Sequence, residues 1–199
     1  GLGDVYKRQR YSVALLGGED CAMTRRVDAS SRRRGLTGSF AHGAIMTPLG
    51  PLHAYASDRG LRALLFAGSD VAENGVDGAV VEDPDSEVVR ACAEQVRAYF
   101  GGELRSFELP LDPVGTVFQL SAWWALREIP YGQTSSYARQ AASMGRPTAA
   151  RAVGAANRRN PLTIIVPCHR VLGSDGKLTG FASGLENKRA LLRLEGVQP

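Results

Sequence analysis

The sequence predicts an α+β protein in two halves: a small N-terminal antiparallel sheet with one helix, then a mostly helical, winged-helix-like half built on a helix-turn-helix. Three observations carry this. Short apolar runs broken by Pro and Gly turns fill residues 44–66, a single amphipathic helical pattern follows them, and beyond a Pro-containing break further helical patterns come in succession. The composition agrees, since 44% hydrophobic and 22% charged residues over 199 positions make a globular chain with room for one or two domains.

Residues 1–9 show no apolar period and are set aside from the fold. Residues 25–34 hold five Arg among Ser and Asp, and residues 1–40 as a whole read as a flexible basic tail. The meander comes next: strands at 45–47, 52–56 and 61–66, separated by the Pro48-Leu49-Gly50-Pro51 and Asp58-Arg59-Gly60 turns. After an acidic loop, Ser86 opens a helix whose apolar positions Val88, Val89, Cys92, Val96, Tyr99 and Phe100 keep helical spacing until Gly101-Gly102 ends it. Cys92 lies on that stripe and reads as a core residue; Cys21 has no assigned role. Residues 41–110 are thus expected to form a supporting domain and 111–115 a linker, with 116–199 as the second domain.

In that second domain Phe118, Ala122, Trp123, Ala125, Leu126 and Ile129 make an amphipathic helix stopped by Pro130-Tyr131-Gly132. Thr134 and Ser135 are candidate caps for a helix over 136–144, and Pro147 opens another over 148–158 that is rich in Ala and Gly. Two short helices around a Gly-containing turn suit a helix-turn-helix, and the small residues of the second permit close approach to a ligand while Arg151, Arg158 and Arg159 bring charge. The same small residues would equally serve tight helix packing. The run 162–166 reads as a buried strand, and 184–194 as a final helix.

Charge is polarised along the chain. Residues 1–40 carry 8 basic and 4 acidic side chains, 41–115 carry 5 and 12, and 116–199 carry 11 and 4, so a total of +4 conceals halves of −7 and +7. A basic half joined to an acidic one suits a polyanion-binding domain on a non-binding support. Of the 24 basic residues 21 are Arg, the side chain fitted to phosphate forks, although a GC-rich genome produces the same bias. No run approaches the ~18 to 20 apolar residues of a membrane span, and no secretion signal opens the chain, so the expected location is the cytoplasm. Three cysteines without a C-x-x-C pair exclude a disulfide framework.

Cys168 stands in Pro167-Cys168-His169-Arg170-Val171, a thiol beside an imidazole and an Arg at the end of the expected strand, where a thiolate could be stabilised and aimed. Spacing alone suits a nucleophile and a core thiol equally. Glu195, at the final helix's C-terminus, gains nothing from the helix dipole and suggests another partner; it is the candidate carboxylate to orient His169.

These residues carry a family resemblance. Asn160-Pro161 followed by Ile164-Ile165-Val166-Pro167-Cys168-His169-Arg170-Val171 resembles the active-site signature of the O6-alkylguanine-DNA alkyltransferases, or methylated-DNA-protein-cysteine methyltransferases. The similarity runs through Phe118, Trp124, Ile129-Pro130-Tyr131-Gly132, Ser136-Tyr137, Arg151-Ala152-Val153-Gly154 and Gly184-Leu185 to Glu195-Gly196, and more weakly through Thr47-Pro48-Leu49-Gly50. It implies DNA repair by one irreversible in-line transfer of a methyl or larger alkyl group from O6 of guanine, or O4 of thymine, to Cys168, which consumes the protein. It also implies a relay from Cys168 through water to His169 and Glu195, with Tyr137 pushing the 3′ phosphate and donating toward the guanine. Arg151 would fill the stack vacated by the flipped nucleotide, with Ser136, Ala150, Ala152 and Gly154 along the DNA and the helix in the ~6 Å minor groove. Asn160 would tie that helix to the active-site strand, and Val171, Phe181, Ala182 and Thr163 would bound the alkylguanine pocket.

Phe181 stands where many members have Tyr and Ala182 where some have Ser, which alters the pocket's hydroxyls. A branch with Trp at the acceptor position only binds lesions, and Cys168 argues against it. Some members hold a structural zinc, but Cys21, Cys92, His42 and His53 do not reproduce its spacing, so no metal and no cofactor are expected. The expected partner is double-stranded DNA containing O6-alkylguanine, met by a monomer, with cooperation on DNA left open and no membrane partner. Two other readings stand beside this one: a non-catalytic sensor of alkylated DNA or transcriptional regulator, and a thiol hydrolase using Cys168, His169 and Glu195.

Overall fold

The structure, a computed structural model, describes residues 38–198. The expected basic tail, with its Arg cluster and Cys21, lies outside the described residues except for Gly38, Ser39 and Phe40. The fold is α+β. Strands β1 (Ser39–Thr47), β2 (Gly50–Ser57) and β3 (Gly60–Phe66) form the antiparallel meander. In its first turn Thr47 Oγ1 donates to Gly50 O at 2.6 Å and accepts from Leu49 N at 3.1 Å, the local bonding that suits Thr to turns. β1 starts inside the expected tail because Phe40 is buried among Tyr55, Ala63, Leu65 and Val76.

A fourth strand, β4 (Ala79–Glu82), pairs in parallel with β1, so the sheet runs β3-β2-β1-β4 and is mixed rather than antiparallel throughout. All four β4 residues are exposed, so no buried period marks them and pairing with β1 alone makes them a strand. Helix α1 (Glu87–Phe100) packs its Val89, Cys92, Val96 and Tyr99 stripe on the sheet, each aliphatic contributing about 1.5 to 3 kcal/mol of burial. The close approach needs Gly43, where a Cβ would lie 2.6 Å from Val89 Cγ1. Cys92 is a core thiol as expected, and burial pushes it up to about 12.

Helix α2 (Val117–Arg127) opens on a capping box in which Thr116 and Gln119 exchange side-chain and backbone bonds. Helices α3 (Tyr137–Ser143) and α4 (Ala150–Arg158) form the expected pair, but Ser136 rather than Thr134 or Ser135 caps α3, accepting from Arg139 N at 3.2 Å. Ser135 belongs instead with Ser136 to β5 (Ser135–Ser136), which pairs in parallel with β6 (Val171–Leu172). A reciprocal amide pair locks α3 to α4: Gln140 Nε2 donates to Asn157 Oδ1 at 3.1 Å and Asn157 Nδ2 to Gln140 Oε1 at 2.7 Å, both buried. Helix α5 (Leu185–Leu194) closes the fold.

Residues 162–166 are not a strand. Leu162 alone makes a bridge, to Leu64 of β3, and the chain then coils through tight turns in which Ile165 N donates to Thr163 O and Val166 N to Leu162 O, each at 2.8 Å. Ile164 sits at φ +70°, a strained setting for a β-branched residue. All five side chains are buried, and burial on every side gives the same apolar run as a buried strand. Nor is the expected linker a free connector. Leu61 N donates to Pro110 O at 2.8 Å and Asp112 N to Leu61 O at 2.9 Å, so β3's outer edge holds both this stretch and the segment leading to Cys168. No helix among the described residues is long and apolar enough to cross a membrane.

Candidate active site

Cys168 begins a single 3-10 turn (Cys168–Arg170) rather than ending a strand. It is 8% exposed. The turn that aims it is held by Asn160, whose Nδ2 donates to Val166 O at 2.7 Å and to Cys168 Sγ at 3.3 Å, while its Oδ1 accepts from Leu162 N at 3.0 Å. One side chain at the end of α4 thus braces the thiol. Burial raises the thiol above its ordinary value, partly offset by the Asn160 amide and the Lys188 charge. At neutral pH the resting group is therefore SH, and it needs a base.

His169 is fully buried, and burial holds its imidazole below the ordinary range despite Glu195. Its Nε2 lies 2.9 Å from Glu195 Oε1. Burial alone would raise Glu195, but His169 and Arg170 bring it down to about 2. An ionised carboxylate only accepts, so His169 Nε2 carries the hydrogen and Nδ1 is the lone pair. That Nδ1 is buried with no hydrogen-bond partner among the described residues.

Arg170 departs from the expected role of steadying a thiolate. Its Nε and Nη2 fork onto Glu195 at 2.9 Å each and its Nη1 donates to Ile129 O at 2.6 Å. Gly132 N also donates to Glu195 Oε2, at 3.2 Å, from a φ of +74° that glycine accommodates. The cation acting on the thiol is Lys188 of α5, fully buried, with Nζ donating to Val171 O at 2.5 Å and Thr179 O at 2.7 Å; burial lowers it to about 8. Sequence reasoning missed Lys188, although with Leu191, Leu192 and Glu195 it makes a helical stripe. It also missed Tyr99, whose hydroxyl donates to Glu195 Oε1 at 2.8 Å across 96 positions of chain, and for which no local signal exists.

Cys168, Asn160 and Thr163 line a cleft of about 730 Å³, walled by Phe181, Ala182 and Ser183 and, from the acidic half, by Leu49, Pro51 and Phe66. Val171 lies outside that lining, buried, with its carbonyl bound to Lys188. Tyr137 starts α3, half-buried, its hydroxyl turned to the carbonyls of Thr179 and Gly180 at 3.3 and 3.4 Å. Its ring lies against Gly154, where a Cβ would stand 3.6 Å away. On α4, Val153, Ala156 and Asn157 face inward, leaving Arg151, Ala152, Ala155 and Arg158 outward with Ala150 and Gly154 half-covered. Tyr137, Ala150, Arg151 and Gly154 share a second, shallower hollow of about 310 Å³. Ser136 caps α3 beside it.

Fold and site together define a protein with a protonated thiol on the wall of a cleft, next in the chain to a buried histidine–carboxylate pair, beside a basic helix-turn-helix. Two family profiles match: "6-O-methylguanine DNA methyltransferase, ribonuclease-like domain" over residues 41–113 and "6-O-methylguanine DNA methyltransferase, DNA binding domain" over residues 117–197. The chain belongs to the 6-O-methylguanine DNA methyltransferase family. It is 48% identical over 155 residues to a methylated-DNA–protein-cysteine methyltransferase of Methanosarcina acetivorans, covering 75% of this chain and 94% of the relative. A protein of the same name from Mycobacterium tuberculosis is 54% identical over 112 residues, 56% of this chain and 68% of the relative. Among solved structures, the O6-methylguanine methyltransferase of M. tuberculosis superposes with a TM-score of 0.69 at 42% identity, covering 78% of this chain and 92% of that one. A complex of the M. tuberculosis protein with DNA matches equally, at 0.69.

Proposed function

We propose that this chain repairs alkylated DNA by moving the alkyl group from O6 of guanine, or O4 of thymine, onto Cys168 Sγ in one irreversible step. The observation that carries the reading is the buried His169 Nδ1, a lone pair without a hydrogen-bond partner among the described residues, on the residue that follows Cys168 in the chain, its other nitrogen committed to an ionised carboxylate. The thiol proton passes to His169 Nδ1 through water, and Glu195 stabilises the imidazolium. Sγ attacks the alkyl carbon in line, the S–C bond forms as the C–O6 bond breaks, and guanine leaves with the electron pair, met by a hydrogen bond from Tyr137. A thioether has no leaving group for hydrolysis, so each protein acts once.

The target must leave the base stack to reach a thiol in a cleft, at a cost of a few kcal/mol. The outward face of α4 suits that extrusion, because Ala150, Ala152 and Gly154 admit the helix to a minor groove and Arg151 occupies the vacated stack. Asn160 keeps the thiol in register with α4, while Thr163, Phe181 and Ala182 bound the base. Residues 116–199 take the DNA and the alkyl group as a monomer in the cytoplasm, with residues 41–110 as support.

Intact-mass analysis after mixing with a duplex carrying O6-methylguanine tests the proposal. One methyl per chain, located on Cys168 and absent in Cys168→Ser, is expected. Tight binding with unchanged mass would overturn transfer in favour of a sensor.

A further inference from the structure

We infer that Tyr99, contributed by the acidic half, is a positioning residue for the transfer: its hydroxyl holds the Glu195 oxygen that receives the His169 N–H. The inference rests on the relay proposed above. Tyr99 is wholly buried in the last turn of α1. Glu195 Oε1 accepts from Tyr99 Oη at 2.8 Å, His169 Nε2 at 2.9 Å and Arg170 Nη2 at 2.9 Å, and Oε2 from Arg170 Nε at 2.9 Å and Gly132 N at 3.2 Å. Besides the imidazole itself, Tyr99 is the one neutral side-chain donor in this set. It shares its acceptor atom with the imidazole, whereas the Gly132 amide does not.

The ring is pinned as well as the hydroxyl. Tyr99 meets Phe107 at 5.4 Å and stands edge-on to Phe100 at 5.5 Å and to Tyr131 at 6.1 Å between centroids. Tyr131 is itself held between the guanidiniums of Arg105 and Arg170, at 5.5 and 5.9 Å from its ring centre. The hydroxyl therefore marks a fixed point in the sheet half from which the oxygen facing His169 is held.

A donor on a carboxylate withdraws charge that the carboxylate would otherwise direct at its other partners. Tyr99 thus keeps Glu195 from making His169 too basic, as well as holding the oxygen in line. With the donor gone, the imidazole holds its proton to higher pH and is less available as a base on the acid side of neutrality.

The test is the ¹⁵N titration of His169 in the DNA-free protein, together with the pH dependence of methyl transfer. In Tyr99→Phe the His169 titration and the acid limb of the rate are expected to move up by about half a unit or more, with transfer at a fixed pH on that limb slower by about three-fold or more. Placing 3-fluorotyrosine at position 99, a stronger donor of almost the same shape, is expected to shift both downward. This keeps the test open if the Phe variant fails to fold. Tyr131→Phe is the control, since its hydroxyl goes to Leu194 O at 3.0 Å and not to Glu195, and it is expected to leave the His169 titration in place. Unchanged titrations in the Phe and fluorotyrosine proteins, or an equal shift in Tyr131→Phe, would overturn the inference. Failure of wild-type protein to gain a methyl would sink the proposed function instead, and the titration, which needs no DNA, would still judge Tyr99.

Discussion

Two carboxylates, the part-buried Asp112 and the buried Glu195, are built from similar parts and differ in one. Asp112 accepts from Arg62 Nη2 at 2.5 Å and Ser57 Oγ at 2.7 Å and pairs with Arg59 Nη2 at 2.9 Å. Glu195 likewise takes an arginine and a hydroxyl, but also an imidazole whose second nitrogen has no partner among the described residues. Asp112's cluster holds no group that changes charge near neutrality, so it can only staple the chain, tying β3 to the stretch after Pro110. Glu195's cluster holds one that can. On the function proposed above, what separates relay from staple is that one member keeps a site for a proton.

The sharpest way to break the comparison is to neutralise each carboxylate. Glu195→Gln is expected to slow transfer by about 10²- to 10³-fold and to destabilise by about 3 kcal/mol, because Arg170 is left buried without its counter-ion. Asp112→Asn is expected to cost a similar 3 kcal/mol or so through Arg62, while folded protein transfers within about two-fold of wild type. Chemical denaturation and single-turnover mass measurements read the two effects separately. If Asp112→Asn slows transfer as much as Glu195→Gln, the distinction fails.

Acid titration should follow the same line. Glu195 is held at about 2 against an ordinary 4.5, so its stabilisation is fully present above pH 4.5 and is lost as pH falls toward 2. Denaturant midpoints are expected to fall steeply across that window in wild type and far less in Glu195→Gln. The smallest effect belongs to the exposed edge of the Asp112 cluster: Arg59, 58% exposed at its side chain, is expected to cost less than about 1 kcal/mol as Arg59→Ala, with transfer unchanged.

Much of this contrast lay beyond sequence reading. Candidate site residues that stand near one another in the chain were legible: Cys168 and His169, the Asn160-Pro161 stop, the small-residue helix with Arg151, and Glu195 as a carboxylate that its helix could not account for. Elements defined by their own periodicity, such as α1 and the meander, were legible too. Features made only by distant partners were not. β4 exists through β1, the Arg170 fork points to Glu195 rather than to the thiol, and Tyr99 reaches the relay from another helix. Residues 162–166 misled because an apolar run records burial and not the path of the backbone, which at Ile164 turns where a strand would continue.

The reciprocal Gln140–Asn157 amide pair sets who does the bending. Each amide satisfies the other away from water, and Gln140 Nε2 also donates to Ala122 O of α2 at 2.9 Å, so a change in the angle between α3 and α4 breaks several buried hydrogen bonds at once. On the function proposed above, the helix pair meets a duplex as a preset wedge, the mechanical work of fitting α4 into a groove falls on the DNA, and base steps that unstack easily are expected to open more readily than stiff ones at equal chemistry.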